Sequence, residues 1–367
     1  MDPRSCARVP AVRITANQVT LARLIPMPLL SWLLYRGKAL GDERYVWVAL
    51  IAGTLIGCTD WVDGMLARKY GPTILGGLLD PIADKVFIAF AYVPFADPAI
   101  DMIPAWACAL MFVREFFITA LRSAYEQRDL TLKTSYLAKA KTWTQMQGIG
   151  VMLLFPLVEN RTFLIALLGV GIAFPIVAMI GLWIARKKFW RGALTMSASF
   201  AAILAVYLYD TKYAPRAIMI GVVAITWISG LDYIAVGWKQ LRGRGDFARA
   251  DAVRLIGSLA LPVLAFAVLV ETTAPRWTIF AIMAFELAVG GLDNLLSHHK
   301  VATKALAWGG RVLGVSVLLA GALALPAYAT PLAIVAAAAS IGGVTAEFVR
   351  GQNYYLDARI RAKAARS

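Results

Sequence analysis

Apolar stretches of membrane-crossing length, bounded by charge clusters or by Pro and Gly, recur along the whole chain. They fall near residues 15 to 35, 45 to 67, 82 to 96, 103 to 124, 142 to 158 and 162 to 185. Six more lie near 193 to 209, 216 to 238, 252 to 270, 276 to 295, 305 to 325 and 331 to 349. None alternates apolar and polar positions as a barrel strand would. At roughly 20 apolar residues per crossing, the pattern predicts an all-α polytopic membrane protein with about 12 transmembrane helices. The opening residues MDPRSCARVPAVR are basic but run into the first helix with no small-residue cleavage site, so that helix is expected to anchor the chain.

Composition agrees. Of 367 residues, 60% are hydrophobic and 16% charged, which excludes an ordinary soluble enzyme. The net charge of +15 would invite a nucleic-acid partner, but the basic residues sit in the connections. With both termini on one side, the opposite connections carry only seven of the 37 Lys and Arg: Arg36, Lys38, Arg44, Arg161, Lys212, Arg216 and Arg276. This bias predicts cytoplasmic termini and an inner-membrane location, and no nucleic-acid partner is expected. Cys6, Cys58 and Cys108 have neither disulfide-framework nor metal-ligand spacing. His298 and His299, the only histidines, have no carboxylates beside them and read as a solvated loop.

The segment TDWVDGMLARKYGPTILGGLLDPIADK puts Asp60, Asp63, Asp80 and Asp84 on two apolar helices. An Asp at a membrane-helix centre costs about 2.5 to 3.5 kcal/mol, less near the interface, so four require neutralisation. Asp60 and Asp63 are three apart and Asp80 and Asp84 four apart, which puts each pair on one helix face. Hard oxygen ligands in a site open to phosphate favour Mg²⁺ or Mn²⁺. Gly64 and Gly76-Gly77 would admit a bulky ligand, and Arg68 is a bidentate phosphate donor. The plainer alternative is interfacial aspartates paired with Arg68, Lys69 and Lys85.

Taken together, Asp60-x2-Asp63-Gly64-x2-Ala67-Arg68-x7-Gly76-x3-Asp80-x3-Asp84 resembles the full signature of the CDP-alcohol phosphatidyltransferases, integral membrane enzymes that use a CDP-linked donor. The resemblance implies two metal ions on Asp60, Asp63 and Asp80, with Asp84 contributing and acting as general base on the incoming alcohol. It also implies contacts of Gly64, Ala67, Arg68 and Gly76 with the CDP donor, and CMP as leaving group. Asn17, Thr20 and Arg23 in the first helix, REFFITALR at Arg114 to Arg122, and Lys139-Ala-Lys141-Thr142-x2-Gln145 resemble the phosphatidylglycerophosphate synthases of that family, with Asn17 and Thr20 on the donor side.

Independently of the resemblance, Arg114, Arg122, Lys139 and Lys141 gather at the ends of the fourth and fifth spans beside the carboxylates. A cationic pocket there fits an acceptor that bears phosphate. Joined to this, the resemblance implies a reaction that moves a phosphatidyl group from CDP-diacylglycerol to glycerol 3-phosphate, giving phosphatidylglycerophosphate and CMP at the cytoplasmic face. Inositol phosphate satisfies the same charge argument, and cardiolipin synthesis is a further alternative within the family. A secondary transporter is the rival from another class, although its carboxylates belong near mid-membrane.

The chain runs well past the end of such a unit. Asp60-Trp61 finds Asp232-Tyr233, Ala83-Asp84 finds Ala250-Asp251, and Pro104-x-Trp106-x8-Glu115 finds Pro275-x-Trp277-x8-Glu286, with offsets between 167 and 172. This predicts two six-helix units, a catalytic one over residues 1–190 and a degenerate one over 191–367 that lacks the metal-binding aspartates. The degenerate unit would stand in for a partner subunit in an intramolecular pseudo-dimer. In a second parse, ITWISGLDYI at 225 to 234 is the closing helix of the catalytic unit, residues 158 to 214 are an insertion, and 250 to 367 form an accessory four-helix bundle.

Overall fold

The computed structural model describes residues 16–70, 74–126, 128, 136–187, 189–244, 248–298 and 305–356. Every apolar segment becomes a helix, and there is no strand among the described residues. The helices are α1 (Ala16–Leu24), α2 (Met27–Leu40), α3 (Glu43–Tyr70), α4 (Ile74–Ala96), α5 (Ala105–Glu126), α6 (Tyr136–Leu157) and α7 (Arg161–Arg186). There follow α8 (Arg191–Tyr209), α9 (Ala214–Arg244), α10 (Arg249–Glu271), α11 (Arg276–His298), α12 (Ala305–Ala324) and α13 (Ala329–Leu356). The first predicted span is two helices because Pro26 and Pro28 remove two backbone donors. Among the described residues, five helices or parts of helices are long and apolar enough to cross a membrane: 161–186, 191–209, 214–235, 249–271 and 326–351. The chain is a multi-pass membrane protein.

Helices α1 to α4 and α6 pack around one another, and α9 closes this group by lying against α5 and α6. The reason is a polar stripe on α9. Thr226, Ser229 and Tyr233 recur at helical spacing and meet Gln145 of α6 and Arg114 and Arg122 of α5. Helix α7 packs chiefly on α8, and this hairpin lies outside the group, with only 17% of the α7 span buried.

Helices α10 to α13 form a second bundle. Its most extensive contact, α10 on α12, is a close backbone approach at two glycines. A Cβ on Gly309 would lie 3.1 Å from the Arg254 Cα, and one on Gly257 would lie 3.2 Å from the Leu313 amide nitrogen. The two bundles meet through α4 on α11, α5 on α10 and α5 on α11. The first two contacts are each held by a stacked phenylalanine pair, Phe90 on Phe280 at 5.9 Å and Phe112 on Phe266 at 5.7 Å.

Ion pairs pin both ends of this seam. At one end Asp251 accepts from the Ala248 amide, capping α10, and pairs with Arg128 at 2.5 Å. At the other, the buried Asp97 accepts from Tyr35 at 2.6 Å and pairs with Arg276 at 2.5 Å.

Candidate active site

Helix α4 presents Asp80, Asp84 and Lys85 to the interior of the first bundle, and α1 supplies the side chains that hold them. Thr20 Oγ1 donates to Asp80 Oδ1 at 2.9 Å. One turn on, Arg23 donates to the Asp80 carbonyl at 3.4 Å and lies 3.5 Å from an Asp84 oxygen. Thr20 and Arg23 are almost wholly buried, whereas the Asp84 side chain is 36% exposed and lines a cavity. Asp60, Asp63, Gly64, Ala67 and Arg68 ride on α3 and Gly76 on α4. The side chains of Asn17, Asp60, Asp63, Ala67, Arg68 and Lys139, and the surroundings of Gly76, lie outside the described residues. Among the described residues, no three His, Cys, Asp or Glu side chains converge.

The basic cluster is organised by Glu115. This buried carboxylate accepts from Lys141 at 2.6 Å and from Gln145 at 3.2 Å, with Arg114 at 3.5 Å. Arg114 also donates to Ser229 of α9 at 2.9 Å. Three polar groups around one carboxylate satisfy what would otherwise be an untenable charge in an apolar helix. Arg122, half-buried, stands over the Tyr233 ring at 5.5 Å, and Lys85 donates to Thr119 at 2.7 Å.

These groups share one cavity of about 960 Å³. Arg23, Lys85, Arg114, Arg122 and Lys141 outnumber Asp84 and Glu115 at its polar end. The remainder is apolar, running along α4 past Phe87 and Ala91 to Phe95. From Asp84 to Phe95 is eleven residues of helix, about 16 Å. A ligand with a charged head and a long apolar tail fits this shape.

The structure thus brings Thr20, Asp80 and Asp84 together, and gathers Arg114, Arg122 and Lys141 around the same cavity. It adds residues that sequence reasoning did not assign to the site: Arg23, Lys85, Thr119, Tyr233 and Asn294. Arg23 was legible as the last position of the Asn-x2-Thr-x2-Arg pattern. Tyr233 was visible only as a repeat marker and as part of ITWISGLDYI, and Asn294 carries no local signal, because both reach the cavity from the second half of the chain.

Comparison with known proteins bears on the same residues. The family "CDP-alcohol phosphatidyltransferase" matches residues 13–183, which ends inside α7. A CDP-diacylglycerol--glycerol-3-phosphate 3-phosphatidyltransferase of Bacillus subtilis is 32% identical over 190 residues, 49% of this chain and 96% of that protein. A probable phosphatidylglycerophosphate synthase of Mycobacterium tuberculosis is 38% identical over 141 residues, 38% of this chain and 65% of its own length. A CMP-forming cardiolipin synthase of Streptomyces coelicolor is 31% identical over 140 residues, 38% of this chain and 64% of its own. No solved structure matches the chain.

Proposed function

The chain belongs to the CDP-alcohol phosphatidyltransferase family, and from that premise we propose that it transfers a phosphatidyl group from CDP-diacylglycerol to glycerol 3-phosphate. The products are phosphatidylglycerophosphate and CMP. The observation that carries this reading is the cavity itself: five cationic side chains gather with two carboxylates, Asp84 and Glu115, at one end of a largely apolar chamber. The cations suit two phosphorylated substrates and the apolar length suits a diacylglycerol.

Two Mg²⁺ or Mn²⁺ ions would be held by Asp60, Asp63, Asp80 and Asp84. The described part of this donor set fits: Asp80 and Asp84 are hard carboxylates one turn apart on α4, held in place by Thr20 and Arg23. When bound, the ions would neutralise the diphosphate and favour in-line displacement. The chain does the rest. Asp84 takes the proton from the acceptor hydroxyl, whose oxygen bonds to the phosphatidyl phosphorus as the bond to the CMP oxygen breaks. Thr20 and Arg23 orient the α4 carboxylates, and Asn17, Gly64, Ala67, Arg68 and Gly76 face the donor. Arg122 and Lys139, with Arg114 and Lys141 aligned by Glu115, receive the acceptor phosphate.

The relative named cardiolipin synthase supports a second reading, in which the acceptor is itself a lipid, phosphatidylglycerol. The membrane is proposed to be the inner membrane, with the polar end of the cavity toward the cytoplasm. The second bundle is proposed to act as a built-in partner. Exchanging α4 with α10 and α5 with α11 maps the α4–α11 and α5–α10 contacts onto each other and the α5–α11 contact onto itself, as an isologous interface requires. The Glu115–Lys141 pair between α5 and α6 also recurs as Glu286–Arg311 between α11 and α12, at 3.0 Å.

The deciding experiment is CMP release by purified protein from labelled CDP-diacylglycerol, with glycerol 3-phosphate, inositol phosphate and phosphatidylglycerol as acceptors. Glycerol 3-phosphate should support turnover, chelation should abolish it, and Mg²⁺ should restore it. Turnover with only another acceptor replaces the assignment, and none with any acceptor removes it.

A further inference from the structure

Beside the headgroup cavity lies a second one, about 640 Å³ in volume, walled by α3, α6, α7 and α8. Its lining is almost wholly apolar, with Leu55, Leu154, Leu167, Phe174 and Phe200 among its walls. The two cavities are contiguous, because Thr54, Trp143, Gln147 and Gly150 line both. The outer wall is the α7–α8 hairpin. A Cβ on Gly171 of α7 would lie 2.8 Å from the Phe200 ring of α8, so the two helices are locked together there.

Among the described residues, two buried nitrogens on the seam between the cavities have no acceptor. Gln147, 7% exposed, accepts from Ser199 of α8 at 2.6 Å through Oε1, while among the described residues its Nε2 has no hydrogen-bond partner. Trp143 Nε1 is likewise buried and without a partner among the described residues. Buried donors left unmatched are costly, so an acceptor belongs in this passage. Both donors are neutral, which fits an uncharged carbonyl better than a phosphate.

We propose that the second cavity receives one acyl chain of the lipid donor. Trp143 and Gln147 would bond the ester carbonyl of that chain, and the α7–α8 hairpin would set which chains are accepted. The inference rests on the proposed use of CDP-diacylglycerol. A chain that leaves the bilayer for an apolar groove gains little from transfer alone, since lipid tails are as apolar as the groove. Shape at Phe174 and Phe200 and the ester contacts therefore carry the selection.

Val170 gives a clean test. It lines the second cavity but not the first and is 60% exposed, so Val170→Trp narrows the groove from the α7 side and leaves the lining of the headgroup cavity intact. CMP release by the full-length protein is measured with CDP-diacylglycerol and with its single-chain lyso counterpart, using water-soluble glycerol 3-phosphate. Val170→Trp should lower kcat/KM about tenfold for the two-chain donor and less than about twofold for the single-chain donor. Gln147→Leu should raise KM for the two-chain donor with little change in kcat. Equal losses on both donors, no loss on either, or a loss that follows the chains of a lipid acceptor would overturn the proposal. Photo-crosslinking of a diacyl lipid probe reads the groove without turnover. Label on α7 and α8 that Val170→Trp removes supports the groove even if every acceptor fails, and labelling that the variant leaves unchanged counts against it.

Discussion

Glu115 shows how charge survives in this interior: Lys141, Arg114 and Gln145 all turn toward it. Glu115→Gln should leave Lys141 and Arg114 buried without their counter-charge, costing about 3–5 kcal/mol. Thermal unfolding in detergent should show a clear fall in midpoint. Asp84 is the proposed base instead, and Asp84→Asn should reduce CMP release by about 10² or more while donor binding persists. Wild-type turnover by that variant would remove the base assignment. The acidic side of the site was legible because Asp in an apolar helix is costly enough to demand a reason. Lys85 was not, since beside Asp84 it reads as that residue's neutraliser, whereas its amine reaches Thr119 of α5 and faces the cavity.

Helices were the most legible level, because uninterrupted apolar runs leave little else for the backbone to do. Each segment read from the pattern is a helix, and only Pro26 divides one in two. What the pattern could not rank was which helix packs against which. The family match ends inside α7, yet α9 lies against α5 and α6. The deciding signal is the Thr226, Ser229 and Tyr233 stripe, which gains meaning only once Gln145, Arg114 and Arg122 are known to face it. Packing of α10 on α12 depends on small residues at the crossing, so Gly309→Leu should push a side chain into the Arg254 backbone. A loss of about 1–3 kcal/mol is expected from such overpacking, read as a lower unfolding midpoint with CMP release per folded molecule retained.

For the molecule as a whole, the second half is joined to the first by aromatic stacking along the seam and ion pairs at both ends. The repeated markers were visible in sequence, but their purposes were not. Asp251, the counterpart of Asp84 by position, caps α10 and pairs with Arg128. Asp251→Ala should therefore lower stability by about 1–3 kcal/mol without removing chemistry from the folded protein, checked by unfolding midpoint beside CMP release. The covered faces of α4 and α5 carry one more consequence. Their neighbour is tethered, so spreading the protein thinly through excess lipid cannot strip it away by mass action. Specific turnover should stay flat as the protein-to-lipid ratio falls, leaving copy number rather than lateral encounter to set the phospholipid yield of a sparse membrane.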